Sequence, residues 1–151
     1  MASANANAVW WKDGLNFSCT RCGACCGREP GTVRFTRLEL SAMSRLLCVS
    51  EEKFKENYTW RKYGTLSLKE RRNYDCVFLC IDDCGAKCDI YSERPRQCVS
   101  FPFWPEILEN KDAWKRYSDS CPGMNAGKFF SYDEISVIVV EYIHDGISKF
   151  L

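Results

Sequence analysis

Hydrophobic positions recur at helical spacing near the C-terminus: Ile135, Ile138, Val139, Tyr142, Ile143, Ile147 and Phe150 fall three or four residues apart. Ser131-Tyr132-Asp133-Glu134 precedes them in capping-box form, where a hydroxyl and a carboxylate each accept a bond from a free backbone N–H. An amphipathic helix is predicted there. Thr36-Arg37-Leu38-Glu39 has the same form and predicts a helix through about Leu47. Ser50 caps a further helix, with Glu51 and Glu52 in its positive first turn and Phe54 and Tyr58 on one face. Lys111 to Tyr117 is read as a short helix.

Alternating or β-rich segments predict short strands at Leu15-Asn16-Phe17, Val33-Arg34-Phe35, Thr65–Leu68, Val77–Leu79 and Asp89–Tyr91. The last two are joined across Asp82-Asp83-Cys84-Gly85. Arg94-Pro95-Arg96-Gln97 suits one helical turn with proline at its start. Phe101-Pro102-Phe103-Trp104-Pro105 is excluded from regular structure, because proline lacks an N–H and restricts its predecessor. The expected fold is α+β: a small, irregular, metal-stabilised domain with a loop-rich centre and a C-terminal amphipathic helix. Residues 1–9 are expected to form a flexible N-terminus and 10–151 a single domain.

Composition narrows the classes. Apolar residues make up 46% and charged residues 27%, which excludes a disordered chain. The net charge of +1 argues against a nucleic-acid binder. Met1 to Ala8 carries no basic or apolar signal-like pattern, and no stretch is long and apolar enough to span a membrane. A cytoplasmic location is expected, where thiols stay reduced.

The chemistry must lie in the eleven cysteines, an odd number that complete internal pairing cannot accommodate. Cys19-x2-Cys22-x2-Cys25-Cys26 is a tight group; the two-residue spacer lets a turn aim two thiolates at one ion, and Gly23 permits the backbone. Thiolate selects zinc, copper(I) or iron–sulfur over magnesium or calcium. Tetrahedral zinc usually draws on two such knuckles, and only the first group is a plain one. The first three cysteines also fit the ferredoxin order C-x2-C-x2-C-x3-C-P, but Glu29 stands fourth, before Pro30; Cys121-Pro122 could supply that ligand from afar. The Cys25-Cys26 doublet is easier to accommodate at a polynuclear site or two sites. Cys76, Cys80, Cys84 and Cys88 recur every four residues, yet Val77-Phe78-Leu79 and Asp82-Asp83 with Gly85 favour strand and turn over helix.

Phe17-x-Cys-x2-Cys-Gly-Ala-Cys-Cys26, Cys76-Val-Phe-Leu79, Cys88-Asp-Ile-Tyr91, Arg94-Pro95-x2-Cys98, Phe101-Pro102-Phe103 and Cys121-Pro-Gly123 follow one another in an order that resembles the CxxCxxCC family. The resemblance implies chelation of zinc or iron, as an ion or an iron–sulfur cluster. It also implies eight ligand candidates: Cys19, Cys22, Cys25, Cys26, Cys76, Cys88, Cys98 and Cys121. Cys48, Cys80 and Cys84 fall outside its pattern, and Val99 stands where the family often has Arg. Some relatives are flagellin lysine N-methylases; this chain shows no Gly-rich nucleotide loop. An iron–sulfur enzyme or electron carrier, methyltransferase-related chemistry included, and a disulfide-rich structural domain stand as alternatives to a metal-binding module.

The remaining residues favour structural roles. Cys48, beside Leu46 and Leu47, is expected to be buried. His144, the one histidine, belongs to the surface or packing of the last helix, and Asp82 and Asp83 to a turn. Tyr58-Thr59-Trp60-Arg61-Lys62-Tyr63 mixes aromatics and cations and is read as a solvated rim rather than an RNA platform. Phe101, Phe103 and Trp104 are expected to shield the metal from water. Arg94 is a donor for sulfur or a backbone carbonyl, against a plain surface ion pair.

Overall fold

A computed structural model describes residues 9–27 and 30–147 of the chain, with side chains to residue 144. Residues 1–8 of the flexible start expected over 1–9, the side chain of Ile147 and all of Phe150 lie outside the described residues.

The elements run β1 (Leu15–Phe17), a 3-10 turn (Ala24–Cys26), α1 (Arg37–Leu46), α2 (Glu51–Tyr58), β2 (Thr59–Lys62) and β3 (Thr65–Leu68). Then come β4 (Leu79–Asp82), β5 (Gly85–Cys88), a second 3-10 turn (Tyr91–Glu93), α3 (Arg96–Ser100), α4 (Pro105–Leu108), α5 (Lys111–Ser118), β6 (Met124–Phe130) and α6 (Tyr132–Ile147). The strands form three antiparallel pairs, β1 with β6, β2 with β3, and β4 with β5. The fold is α+β, as the pattern of positions predicts.

Local chemistry sets the helix ends. Thr36 and Glu39 form the complete capping box of α1, and Ser131 and Glu134 that of α6. Ser50 Oγ accepts from Lys53 N–H at the start of α2. At the other end of α1, Cys48 N–H bonds to Arg45 C=O and Val49 N–H to Ser44 C=O, which closes a Schellman motif. Cys48 is the left-handed residue of that motif, with φ 56°, and its side chain is exposed. The expectation of a buried Cys48 is corrected: the turn places the residue outside the helix's apolar face.

Several strands differ from expectation. Val33–Phe35 is extended but forms no strand, because side chains take the backbone groups a ladder would use. Val33 N–H donates to Ser67 Oγ, Arg34 N–H to Gln97 Oε1, and only Val33 C=O accepts from a strand, at Leu68 N–H. The hairpin across residues 82–85 forms, but its strands sit closer to the turn than expected, with Leu79 opposite Cys88 and Asp82 opposite Gly85. Val77 is held instead by Lys69 C=O and by the Arg71 guanidinium. Pro95 stands at the N-cap of α3, not inside it. Pro105 opens α4, so the aromatic–proline segment ends in a helix. The strands β2 and β6 carry too little alternation to be read from sequence; Asn125 and Gly127, both at positive φ, interrupt the latter.

Two hydrophobic cores result. The first gathers Trp11, Phe101, Phe103, Ile107, Trp114 and Ile135, with α6 laid against it. The second gathers Phe35, Leu40, Met43, Phe54, Phe78 and Ile90 around α1 and α2. Each fully buried large side chain contributes about 1.5–3 kcal/mol by leaving water.

Candidate metal centre

A cavity of about 70 Å³, partly open to solvent, lies where the two cores meet. Phe17, Phe101 and Trp104 face it from the first core, and Val33, Leu68 and Ile90 from the second. Cys19, Cys22, Cys25, Cys26, Cys76, Cys88, Cys98 and Cys121 all line it; Cys48, Cys80 and Cys84 do not. All eleven cysteines are free thiols.

The cysteines arrive from separate elements. Cys19 to Cys26 form the outer wall, where Cys19, Cys22 and Cys25 are exposed. Gly23 sits at φ 78°, and a Cβ there would stand 2.9 Å from Ala86 Cβ, so glycine lets this loop lie against the β4–β5 hairpin. Cys76 enters after Arg71, whose guanidinium donates to Leu79 C=O at 2.6 Å and Val77 C=O at 2.9 Å. Cys88 ends β5 and Cys98 lies in α3. Cys121 is buried, and its neighbour Gly123 passes so close to Ser18 that a Cβ would collide with the Ser18 carbonyl. Ser18 N–H donates to Gly123 C=O at 3.1 Å, tying the two ends of the cysteine series together.

Electrostatics reflect this convergence. Cys25 Sγ lies 3.8 Å from Cys26 Sγ, and the hydrogen bond they share pulls Cys25 down to about 7, with Arg94 also favouring its thiolate. The same bond, and then burial, pushes Cys26 far up. Burial pushes Cys76 up to about 11 and raises Cys88, Cys98 and Cys121. Neighbouring thiolates add to these shifts: Cys76, Cys25 and Cys88 act on Cys98, and Cys22 and Cys25 on Cys121. Among the described residues, no group of three or more Cys, His, Asp or Glu side chains is placed to hold a metal ion as it stands. The sulfurs share a cavity rather than a finished coordination sphere.

The supporting shell is partly as expected. Phe101 and Trp104 line the cavity, but Phe103 does not: its ring packs on Phe130 at 4.9 Å and on Trp114 at 6.2 Å within the first core. Arg94 Nε donates to Tyr91 C=O at 3.0 Å, a backbone carbonyl and not an ion pair. Asp82 Oδ1 accepts from Cys84 N–H, as a turn former does, and His144 is exposed on α6. Sequence reasoning does not find Arg71, which braces the backbone after Cys76, or Gln97, which ties α3 beside Cys98 to the Thr32–Arg34 backbone.

Fold and site together define a cysteine-cluster α+β domain with eight of its eleven thiols gathered between two cores. The chain belongs to the CxxCxxCC family, described as a putative zinc- or iron-chelating domain, whose model matches residues 18–122. No solved structure matches the chain. Among the described residues no helix is long and apolar enough to cross a membrane.

Proposed function

We propose that this protein binds zinc or iron through the thiolates of Cys19, Cys22, Cys25, Cys26, Cys76, Cys88, Cys98 and Cys121. One observation carries the reading: these eight line a single cavity, while the other three cysteines lie elsewhere. Buried inert cysteines have no reason to sort in this way. The donor set is soft and free of carboxylate and imidazole, which suits zinc or iron–sulfur. The exposed thiols of the first loop are the ones free to turn inward, since staggered side-chain wells differ by roughly 3 Å in sulfur position.

Metal bound here would join the two cores, because its ligands come from both. Structural zinc supplies about 10–16 kcal/mol of apparent binding energy, comparable to the whole stability of a domain. Eight thiols are twice what one tetrahedral ion takes, which favours a polynuclear centre or two ions. The family description and the donor set leave zinc and iron as the two candidates, and an iron–sulfur centre would bring electron transfer or iron–sulfur enzyme chemistry within reach.

Anaerobic isolation followed by absorbance, iron, sulfide and zinc assays separates the cases. A brown protein absorbing near about 400 nm, with iron and sulfide in equal amounts, identifies a cluster. Colourless protein with stoichiometric zinc identifies a zinc module. Folded, metal-free protein without titratable thiols overturns both in favour of disulfides.

A further inference from the structure

We propose that the mouth of the cavity is a binding site for a small carboxylate, held by Arg21 and Arg94. The charged residues that line the cavity are Arg21, Lys87 and Arg94, with no aspartate or glutamate among them. Lys87 is paired with Asp82 at 3.6 Å, outside the lining. The two arginines have no carboxylate partner among the described residues.

Both guanidinium groups lie on Tyr91. The Arg94 Cζ is 3.8 Å and the Arg21 Cζ 4.3 Å from the ring centroid. The two cations therefore stand within about 8 Å of one another and repel. Stacking uses the face of a guanidinium and leaves its N–H edge available. Arg94 commits Nε to Tyr91 C=O, and its Nη groups have no acceptor among the described residues. Arg21 is held at φ 56°, a left-handed conformation that costs a non-glycine residue free energy. A planar, bidentate anion would satisfy both edges and relieve the repulsion, which is the geometry a carboxylate offers.

The apolar remainder of the lining, with Phe17, Phe101 and Trp104, suits an acid with a small hydrophobic body. Such an acid would sit beside the exposed thiols of Cys19, Cys22 and Cys25, which line the same cavity as the two arginines. The inference stands on the cations and not on the metal, so the metal content of every sample is measured alongside and the two failures stay distinguishable.

The test is calorimetric titration of the anaerobically isolated protein with benzoate and with benzamide, its neutral isostere. Benzoate is expected to bind at one site per chain, with benzamide at least about tenfold weaker. Arg21→Gln and Arg94→Gln are each expected to weaken benzoate about tenfold while leaving benzamide unchanged, with weaker binding at higher salt. Arg94→Lys should recover only part of the loss, because an ammonium has no fork. Equal affinities for benzoate and benzamide, no benzoate binding to metal-retaining protein, or unchanged benzoate affinity in both glutamine variants would overturn the proposal. Loss of metal in Arg94→Gln without any benzoate effect in Arg21→Gln would also overturn it, assigning the cations to the thiolates alone.

Discussion

Glu39 and Arg96 are joined across 57 positions of sequence: Arg96 N–H donates to Glu39 Oε1 at 2.7 Å. The other oxygen of the same carboxylate accepts from Thr36 N–H at 2.7 Å. One side chain thus caps α1 and also fixes the start of α3, the helix that carries Cys98. Glu39→Ala should cost about 1–3 kcal/mol, the range for a lost cap plus an unpartnered amide. Urea unfolding of the isolated protein checks this, and Glu39→Gln, which keeps one acceptor oxygen, should fall between. A loss below about 0.5 kcal/mol would remove Glu39 from its bridging role.

Trp104 supports the same helix through its indole. Its indole N–H donates to Gln97 C=O at 2.8 Å and to Ser100 Oγ at 3.0 Å, both in α3. Trp104→Phe keeps most of the ring and should cost about 1–2 kcal/mol. Trp104→Ala also opens a void and should cost about 3–5 kcal/mol. Equal losses for the two variants would mean that the hydrogen bonds, and not the packing, carry the effect.

Cysteine substitutions should sort by place in the fold. Cys22→Ser is expected to lower metal content severely, whereas Cys48→Ser, Cys80→Ser and Cys84→Ser should leave it near the wild-type level. Cys48→Gly should retain metal and stabilise by up to about 1 kcal/mol, because glycine tolerates the left-handed C′ position. Metal analysis after gel filtration checks the first set and thermal unfolding the last. Equal metal losses from Cys22→Ser and Cys48→Ser would contradict the proposed ligands.

Acid dependence should be visible at α6. Ser131 N–H donates to Glu134 and holds its carboxyl below the usual range. A lowered folded value stabilises the fold above the unfolded carboxylate value of about 4.3, and that contribution disappears as pH falls through the folded value. Thermal scans in acid should therefore show a shallower decline for Glu134→Gln than for wild type. Parallel declines would show that the cap contributes nothing ionic.

Much of the fold was legible because its signals are local. Thr36 with Glu39, Ser50, and Ser131 with Glu134 announce helix starts through hydrogen bonds that span three residues, and each does so in the structure. The strand expected at Val33–Phe35 does not form because Ser67 and Gln97, remote in sequence, take the Val33 and Arg34 N–H groups. Cys48 is exposed, against expectation, because a left-handed turn and not the adjacent leucines determines its place. The cysteine spacing singles out the Cys19–Cys26 group, and only the family resemblance extends it to the eight thiols that line one cavity; the Arg21–Tyr91–Arg94 arrangement beside them depends on tertiary approach and leaves no mark in the spacing.

The most direct measurement is metal and sulfide content per chain after anaerobic isolation, for wild type and for Cys98→Ala. The account predicts zinc or iron retained in whole equivalents by the wild type and largely lost in the variant. A folded wild type that holds no metal, with its thiols free, would contradict it.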